Sequence, residues 1–402
     1  MRRATVLVVL AVGIFASAGA ADSLNCRLVG SCTLNGILTG IALSGNFAYV
    51  SGGYGTLWIL DIADPTSPHV VGHFDTTDMS RAAVVSGGLA YMVAYGSFDG
   101  FWIIDVSDPQ EPCAVGRYCS PCGIDHIVLS GERAYLMAGS LRILDVSEPL
   151  KPHELGCWNG PLSTKDVALS GDLAYVAQND SDLYVVDVSK PQAPYTVGHC
   201  SLPGFALRVA VSGDFAYVAA FDAAGRLWVI DVSNPQAPYQ VGSTFFPGTA
   251  KGIAVVGDFV YVVSRQGLQV IDVSDPRSPR LVGWYVGLSG YGGLVVTGGL
   301  AYTPSLDILE FLGEGVEETP NVAVRAANTM PTVARGVLCL PAASSHKLQA
   351  ASLLDISGRK VLDLHAGAND VRALAPGVYF FREGLGTRGE GSGKTQKVVV
   401  TR

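Results

Sequence analysis

Apolar and polar positions along this chain alternate in short blocks rather than at a helical spacing. Between Gly213 and Pro238 the sequence GDFAYVAAFDAAGRLWVIDVSNPQAP holds an apolar run, a polar loop, a second apolar run ending in Asp231, and an Asn-Pro turn. The same outline recurs at Gly45, Gly171 and Gly257. Apolar runs this short, bounded by Gly, Asn, Asp and Pro, predict β-strands joined by tight turns.

Aligned on its AYV-like tyrosines, the chain repeats seven times. Tyr49, Tyr91, Tyr135, Tyr175, Tyr217, Tyr261 and Tyr302 are separated by 42, 44, 40, 42, 44 and 41 residues. A Gly-containing hairpin turn (SGN, SGG, SGE, SGD, SGD, VGD, TGG) precedes each run. The second run ends at Asp61, Asp105, Asp145, Asp187, Asp231 and Asp272, with Glu310 in the seventh copy, and turns such as DPTSP and NPQAP follow. A further run ends at Gly30, Gly72, Gly116, Gly156, Gly198, Gly242 or Gly283, always 19 residues before the next tyrosine. Each Asp lies 11 residues before the next such Gly, so length varies only between tyrosine and acid. A fixed scaffold with one adjustable loop per unit behaves in this way.

One unit supplies four strands, named a to d from the centre outward: GIAVVGD, FVYVVS, LQVIDVS and PRLVGWY in the sixth copy. They are apolar nearly throughout, so both faces of each small sheet must be covered by neighbours. A period near 42 with four strands predicts an all-β, seven-bladed β-propeller. The seventh copy stops after LDILEFLG and lacks its d strand, whereas the chain opens with an orphan d-like strand, CRLVGSC. That N-terminal strand is expected in the last blade, where it would close the ring and remove exposed edges.

The pattern AYVA…GLxVIDVSDPxxPxxVG, running from Arg27 to Leu312, resembles the LVIVD-repeat family. The resemblance implies a bacterial surface β-propeller, and implies little about activity. Four segments are expected: a signal peptide over 1–20, the propeller over 21–312, a linker over 313–325 and a small C-terminal β-sandwich over 326–402. In the last, DISGRKV (Asp355–Val361), LAPGVYF (Leu374–Phe380) and the final strand Lys397–Arg402 resemble the sorting domain of type IX secretion, a small immunoglobulin-like module. The upstream NTMPTVARG lacks the Pro-Asn-Pro wording of such tails. The resemblance implies passage through an outer membrane, export machinery as a partner, and attachment to a bacterial cell surface or release from it.

The N-terminus agrees with export. Arg2 and Arg3 precede the apolar ATVLVVLAVGIFASA, and Ala18–Ala20 offers small residues for cleavage. No other stretch approaches the length of a membrane helix. An exported chain can oxidise its eight cysteines. Cys119 and Cys122 in CSPC are close enough for a local bridge, while Cys26, Cys32, Cys113, Cys157 and Cys200 admit several pairings. Cys339 reads as a buried core thiol. A redox role for CSPC would need a strand-to-helix context that this all-β pattern lacks.

Composition narrows the function classes. Hydrophobic residues make up 49% and charged residues 15%, which excludes a disordered chain, and 48 Gly with 21 Pro suit many turns. A net charge of −8 argues against nucleic acid. GEGSGKT (Gly389–Thr395) ends like a phosphate-binding loop but has Arg388 where the first Gly belongs, and no helix follows. The oxygens of QNDSD (Gln178–Asp182) lack the spacing of a calcium loop. No metalloprotease, serine-hydrolase or Cys/His metal motif occurs, so no cofactor or metal and no catalytic residue are expected. His73 and His199 follow the Val-Gly of outer strands. The recurring Asp at the end of strand c reads as a turn former, since a catalytic group would not be needed in every unit.

The repeat frame itself singles out one set. Ten and nine residues before each tyrosine, where strand a begins beside the central channel, stand Arg81, Asp125, His126, Lys165, Asp166, Arg208 and Lys251, with Thr39, Gly40, Gly252, Gly292 and Gly293 in other copies. Varied charge at equivalent inner positions predicts a ligand-facing ring for a protein or carbohydrate, and mixed charge favours a polar or anionic one. A self-neutralising ring of salt bridges is the alternative. The chain therefore reads as an exported, monomeric, non-enzymatic binding or scaffold propeller. A funnel hydrolase or lyase using Asp125, His126, Asp166 and Arg208, or a purely structural envelope component, stands beside it.

Overall fold

A computed structural model describes residues 23–313, apart from 97–98, 162, 179–181, 223 and 289–291, together with strands between 332 and 401. The leader over 1–20, most of the linker, the middle of QNDSD, the GEGSGK loop and the Cys339 side chain lie outside the described residues. Two units are distinguished, one up to Pro320 and the other from Asn321.

The first unit is a seven-bladed β-propeller, and no helix occurs among the described residues. Six blades are four-stranded antiparallel meanders written in chain order, such as Leu38–Ser44, Phe47–Gly52, Thr56–Asp61 and His69–Asp75 in the first. In the sixth blade, Ser23–Leu24 adds a short fifth strand against Arg280–Tyr285. The seventh combines Val295–Thr297, Leu300–Tyr302 and Asp307–Phe311 with Cys26–Ser31, which runs antiparallel to Asp307–Phe311. Strand a turns into strand b through two residues, with Ser44 opposite Phe47 and Gly45 at φ 57. That left-handed first turn position strongly favours Gly.

The near-continuous apolar runs are explained by where they pack. Each hydrophobic cluster draws side chains from two neighbouring blades: Tyr175, Leu183 and Val185 of the fourth meet Val209, Val218 and Ile230 of the fifth. The junction of the seventh and first blades is built alike, from Tyr302, Leu306 and Ile308 against Leu38, Val50 and Leu60. Every repeat tyrosine is buried between blades, and burial pushes the phenols of Tyr49, Tyr91 and Tyr217 upward.

The outer belt accounts for the fixed spacings. All six aspartates accept the backbone N–H two residues on: Ala63 N to Asp61 Oδ1 is 2.8 Å, and the bonds from Ser107, Ser147, Ser189, Ser233 and Ser274 are 2.9–3.0 Å. This side-chain turn leads into a backbone turn at the proline, as in Ser67 N to Asp64 O at 3.0 Å. The outer-strand glycine of one blade then lies against the proline turn of the next. A methyl carbon built on Gly72 would overlap the Pro109 carbonyl oxygen, and Gly30, Gly116, Gly156, Gly198 and Gly242 face Pro65, Pro149, Pro191, Pro235 and Pro276 in the same way. The 11-residue interval thus carries each chain segment from its turn to the glycine that receives the neighbouring turn.

Cys119 and Cys122 correct one expectation, because both are exposed free thiols and form no bridge. Cys119 stays in strand register opposite Gly100, while Cys122 sits past a turn in which its N–H donates to Ser120 Oγ at 3.3 Å. Cys32, Cys113, Cys157 and Cys200 are likewise free thiols.

In the second unit, seven strands follow one hydrogen-bonded order: Lys360–Leu364, Ala351–Leu354, Gly377–Glu383, Thr395–Thr401, Thr332–Arg335, Val337–Leu340 and Gly367–Asp370. The pairing is antiparallel except between Thr332–Arg335 and Thr395–Thr401.

Candidate functional site

Strands a of all seven blades surround a central cavity of about 750 Å³. Its lining includes Arg81, Asp125, His126, Lys165, Asp166, Arg208 and Lys251, contributed by five consecutive blades. Below these charges the wall turns apolar, with Val84, Val128, Val167, Val209 and Ile253.

A local irregularity sorts the charged residues into two roles. In five blades strand a carries a β-bulge where it enters the sheet, at Thr39, Arg81, Lys165, Leu207 and Lys251, ten residues before the tyrosine. A bulge leaves its extra residue unpaired and re-aims the side chain. Residues ten before the tyrosine meet one another across the mouth: Arg81 pairs with Asp125 Oδ1, and Lys165 Nζ lies 3.7 Å from Asp125 Oδ2. Arg81 also stacks over the Tyr95 ring, 4.5 Å from its centroid.

Residues nine before the tyrosine reach the next blade instead. His126 Nδ1 lies 2.9 Å from Asp166 Oδ1, an ion-pair contact when the ring is protonated, set off the line needed for an aligned hydrogen bond. Asp166 accepts Val167 N and, from the following blade, Val209 N, both at 3.0 Å. Arg208 Nε donates to Lys251 O at 2.9 Å and Nη1 to Leu207 O at 2.7 Å. Gly40, Gly252 and Gly293 fill the same position where the strands approach too closely for a side chain, Gly252 facing the Gly293 backbone.

Asp166 is therefore a correction to the expected ring. Its residue is only 4% exposed and its carboxylate joins the fourth and fifth blades rather than facing a ligand. Burial alone would raise its carboxyl, but His126, Arg208 and the Val209 N–H outweigh burial and hold it below the usual carboxylate range.

The mouth is not neutral. Four cations, Arg81, Lys165, Arg208 and Lys251, stand against two carboxylates, Asp125 and Asp166. Arg81, Asp125 and Lys165 satisfy one another, whereas no carboxylate pairs with Lys251 among the described residues. Burial, with Arg208 and Arg265 nearby, pushes the Lys251 ammonium below the usual lysine range. Groups of three or more His, Cys, Asp or Glu able to hold a metal do not occur among the described residues.

A second cavity of about 540 Å³ lies between the d–a connector Ser31–Leu38, the b–c loop residue Arg265 and Asp307 at the start of strand c. Burial raises the Asp307 carboxyl, against the pull of the Ser305 Oγ hydrogen bond at 2.5 Å. Sequence reasoning missed Asp307, which opens strand c in the shortest tyrosine-to-acid interval.

Comparison with known proteins agrees with this architecture. The LVIVD repeat model matches residues 35–76, 79–120, 124–159, 163–201, 203–244 and 247–286, well over half of the chain. Each match covers one blade written a to d, and the seventh blade, whose strands come from both ends of the propeller, is unmatched. No functionally curated protein matches. Among solved structures, the β-propeller domain of Myceliophteria thermophila Cps50 (Swd1) is 13% identical with a TM-score of 0.56, covering 71% of this chain and 98% of that one. A functionally unknown protein from Desulfotomaculum acetoxidans is 15% identical with a TM-score of 0.55, covering 67% and 95%. The computationally designed Ika8 protein is 11% identical with a TM-score of 0.52, covering 71% and 99%. Identities this low speak for the fold alone.

Proposed function

Because this chain belongs to the LVIVD-repeat family, we propose that it is an exported, non-enzymatic binding propeller of the bacterial cell surface that captures a protein or carbohydrate at its channel mouth. The observation carrying this reading is the ring of varied side chains at the mouth. Around one cavity, equivalent backbone positions hold Thr39, Arg81, Asp125, Lys165, Lys251 and Gly292, a different side chain in nearly every blade, while in the fifth blade Arg208 rather than Leu207 lines it. A scaffold that repeats its outer turns yet varies its inner mouth suits recognition better than filling of space.

The N-terminal strand Cys26–Ser31 completes the last blade in this reading, and a leader over 1–20 and a sorting-type C-terminal unit direct export. The His126–Asp166 contact favours one alternative, a hydrolase or lyase in the funnel, in which Asp166 would orient the imidazole. Peptide and glycan arrays probed with the full chain test the proposal. A hit lost on Arg81→Ala or Lys251→Ala supports it, and arrays without any hit overturn it.

A further inference from the structure

Three features of the mouth converge on its fifth to seventh blades. Lys251 is presented by a bulge, is half-buried, and has no carboxylate partner among the described residues, although its charge is crowded by Arg208 and Arg265. Arg208 is fixed through Nε and Nη1 to two backbone carbonyls, which sets the plane of its guanidinium beside Lys251 and leaves Nη2 without a hydrogen bond among the described residues. On the far side stand Gly252, Gly292 and Gly293, which put no side chain between the cations and the channel. Cations held together in a partly desolvated wall repel one another, and an anion placed between them would relieve that repulsion. Across the mouth the arrangement is opposite, since Arg81, Asp125 and Lys165 already form a closed set.

We propose that Lys251 and Arg208 form a carboxylate subsite, and that its occupant is an acidic peptide segment entering the channel mouth. This rests on the binding-propeller reading above. Two properties of the cavity favour a peptide over an acidic glycan. Among the described residues its lining includes no Phe, Tyr or Trp ring on which a sugar face could stack, and the wall below the cations is aliphatic, with Val209, Ile253 and Leu294. A carboxylate followed by an apolar side chain matches that sequence of surfaces. The chain's net charge of −8 repels acidic peptides in general, so binding of one requires a local site.

The test is fluorescence anisotropy of the full chain with labelled hexaglutamate, beside hexaglutamine and trigalacturonate. Hexaglutamate should bind, more weakly as salt rises, and hexaglutamine should not. Lys251→Gln should weaken hexaglutamate about tenfold and Lys251→Glu further, while Lys190→Ala, a similar charge change at an outer turn, stays within about twofold. Equal binding of hexaglutamine, preference for trigalacturonate, or equal effects of Lys251→Gln and Lys190→Ala would overturn the proposal. A ligand found on the arrays whose binding ignores Lys251→Gln would overturn it too, yet leave the binding propeller standing. Melting curves of both Lys251 variants separate a lost site from a lost fold.

Discussion

The outer belt and the inner mouth of the propeller are made by the same blades and follow opposite rules. On the outside, six units place Asp, Pro and Gly at one spacing, and each group does one job: the acid caps the turn, the proline bends it, the glycine receives the next blade's turn. On the inside, equivalent positions carry cations, a carboxylate, a hydroxyl or nothing. Identity within a repeat reports a constraint every blade shares. Difference at a shared backbone position reports a surface free to be shaped.

Changes to the belt should therefore cost stability, and changes to the mouth recognition. The largest effect is expected from Gly116→Val, whose side chain would collide with the Pro149 carbonyl across the blade junction. A loss of about 3 kcal/mol, read by chemical denaturation, is expected from such overpacking. A loss below about 1 kcal/mol would show that the junction can open, and would break the contrast.

Asp166→Ala should come next, at about 2 to 3 kcal/mol, because it strips the buried Val167 N–H and the next blade's Val209 N–H of their acceptor and His126 of its partner. Asp231→Ala removes an exposed turn bond together with the hydroxyl bonds from Ser233 and Tyr239 and should cost about 1 kcal/mol, with Asp231→Asn recovering most of it. Similar losses for Asp166→Ala and Lys165→Ala would erase the division between stitching and mouth positions.

The smallest effect is in the pH dependence. Hydrogen bonds from Ser107, Ser147, Ser189 and Ser233 hold Asp105, Asp145, Asp187 and Asp231 below the usual carboxylate range. Their contribution is fully present above the unfolded value near pH 4 and is lost as pH falls through the lower folded values. Asp307 has the opposite sign: burial raises its folded value, so its protonation favours the fold as pH falls through that value. Melting temperature should therefore drop in acid, less steeply for Asp105→Ala and more steeply for Asp307→Asn. Equal slopes in the two variants would refute the assignment.

Much of the belt was legible in the chain. Seven tyrosines at near-equal intervals, with every length change between tyrosine and acid, state the number of blades and the loop that varies. A repeated Asp before Ser and Pro states a turn, because the bond it makes is local. The pairing of glycine with proline was visible only as an interval, since the two residues that touch, such as Gly72 and Pro109, belong to different repeats.

The mouth shows where sequence order stops being sufficient. Asp125 and His126 are adjacent, as are Lys165 and Asp166, and both pairs fall where a ligand ring is expected. The sequence by itself determined which residues arrive at the channel, because a repeat frame maps each to the same place in its blade. Only the tertiary structure decided their roles: the bulge at Lys165 turns that side chain to the mouth, while the next blade's Val209 N–H claims Asp166. A partner on another strand is not encoded in the spacing of either one. For the same reason, Lys251 is distinguished from Lys165 not by its own repeat but by what its neighbours lack.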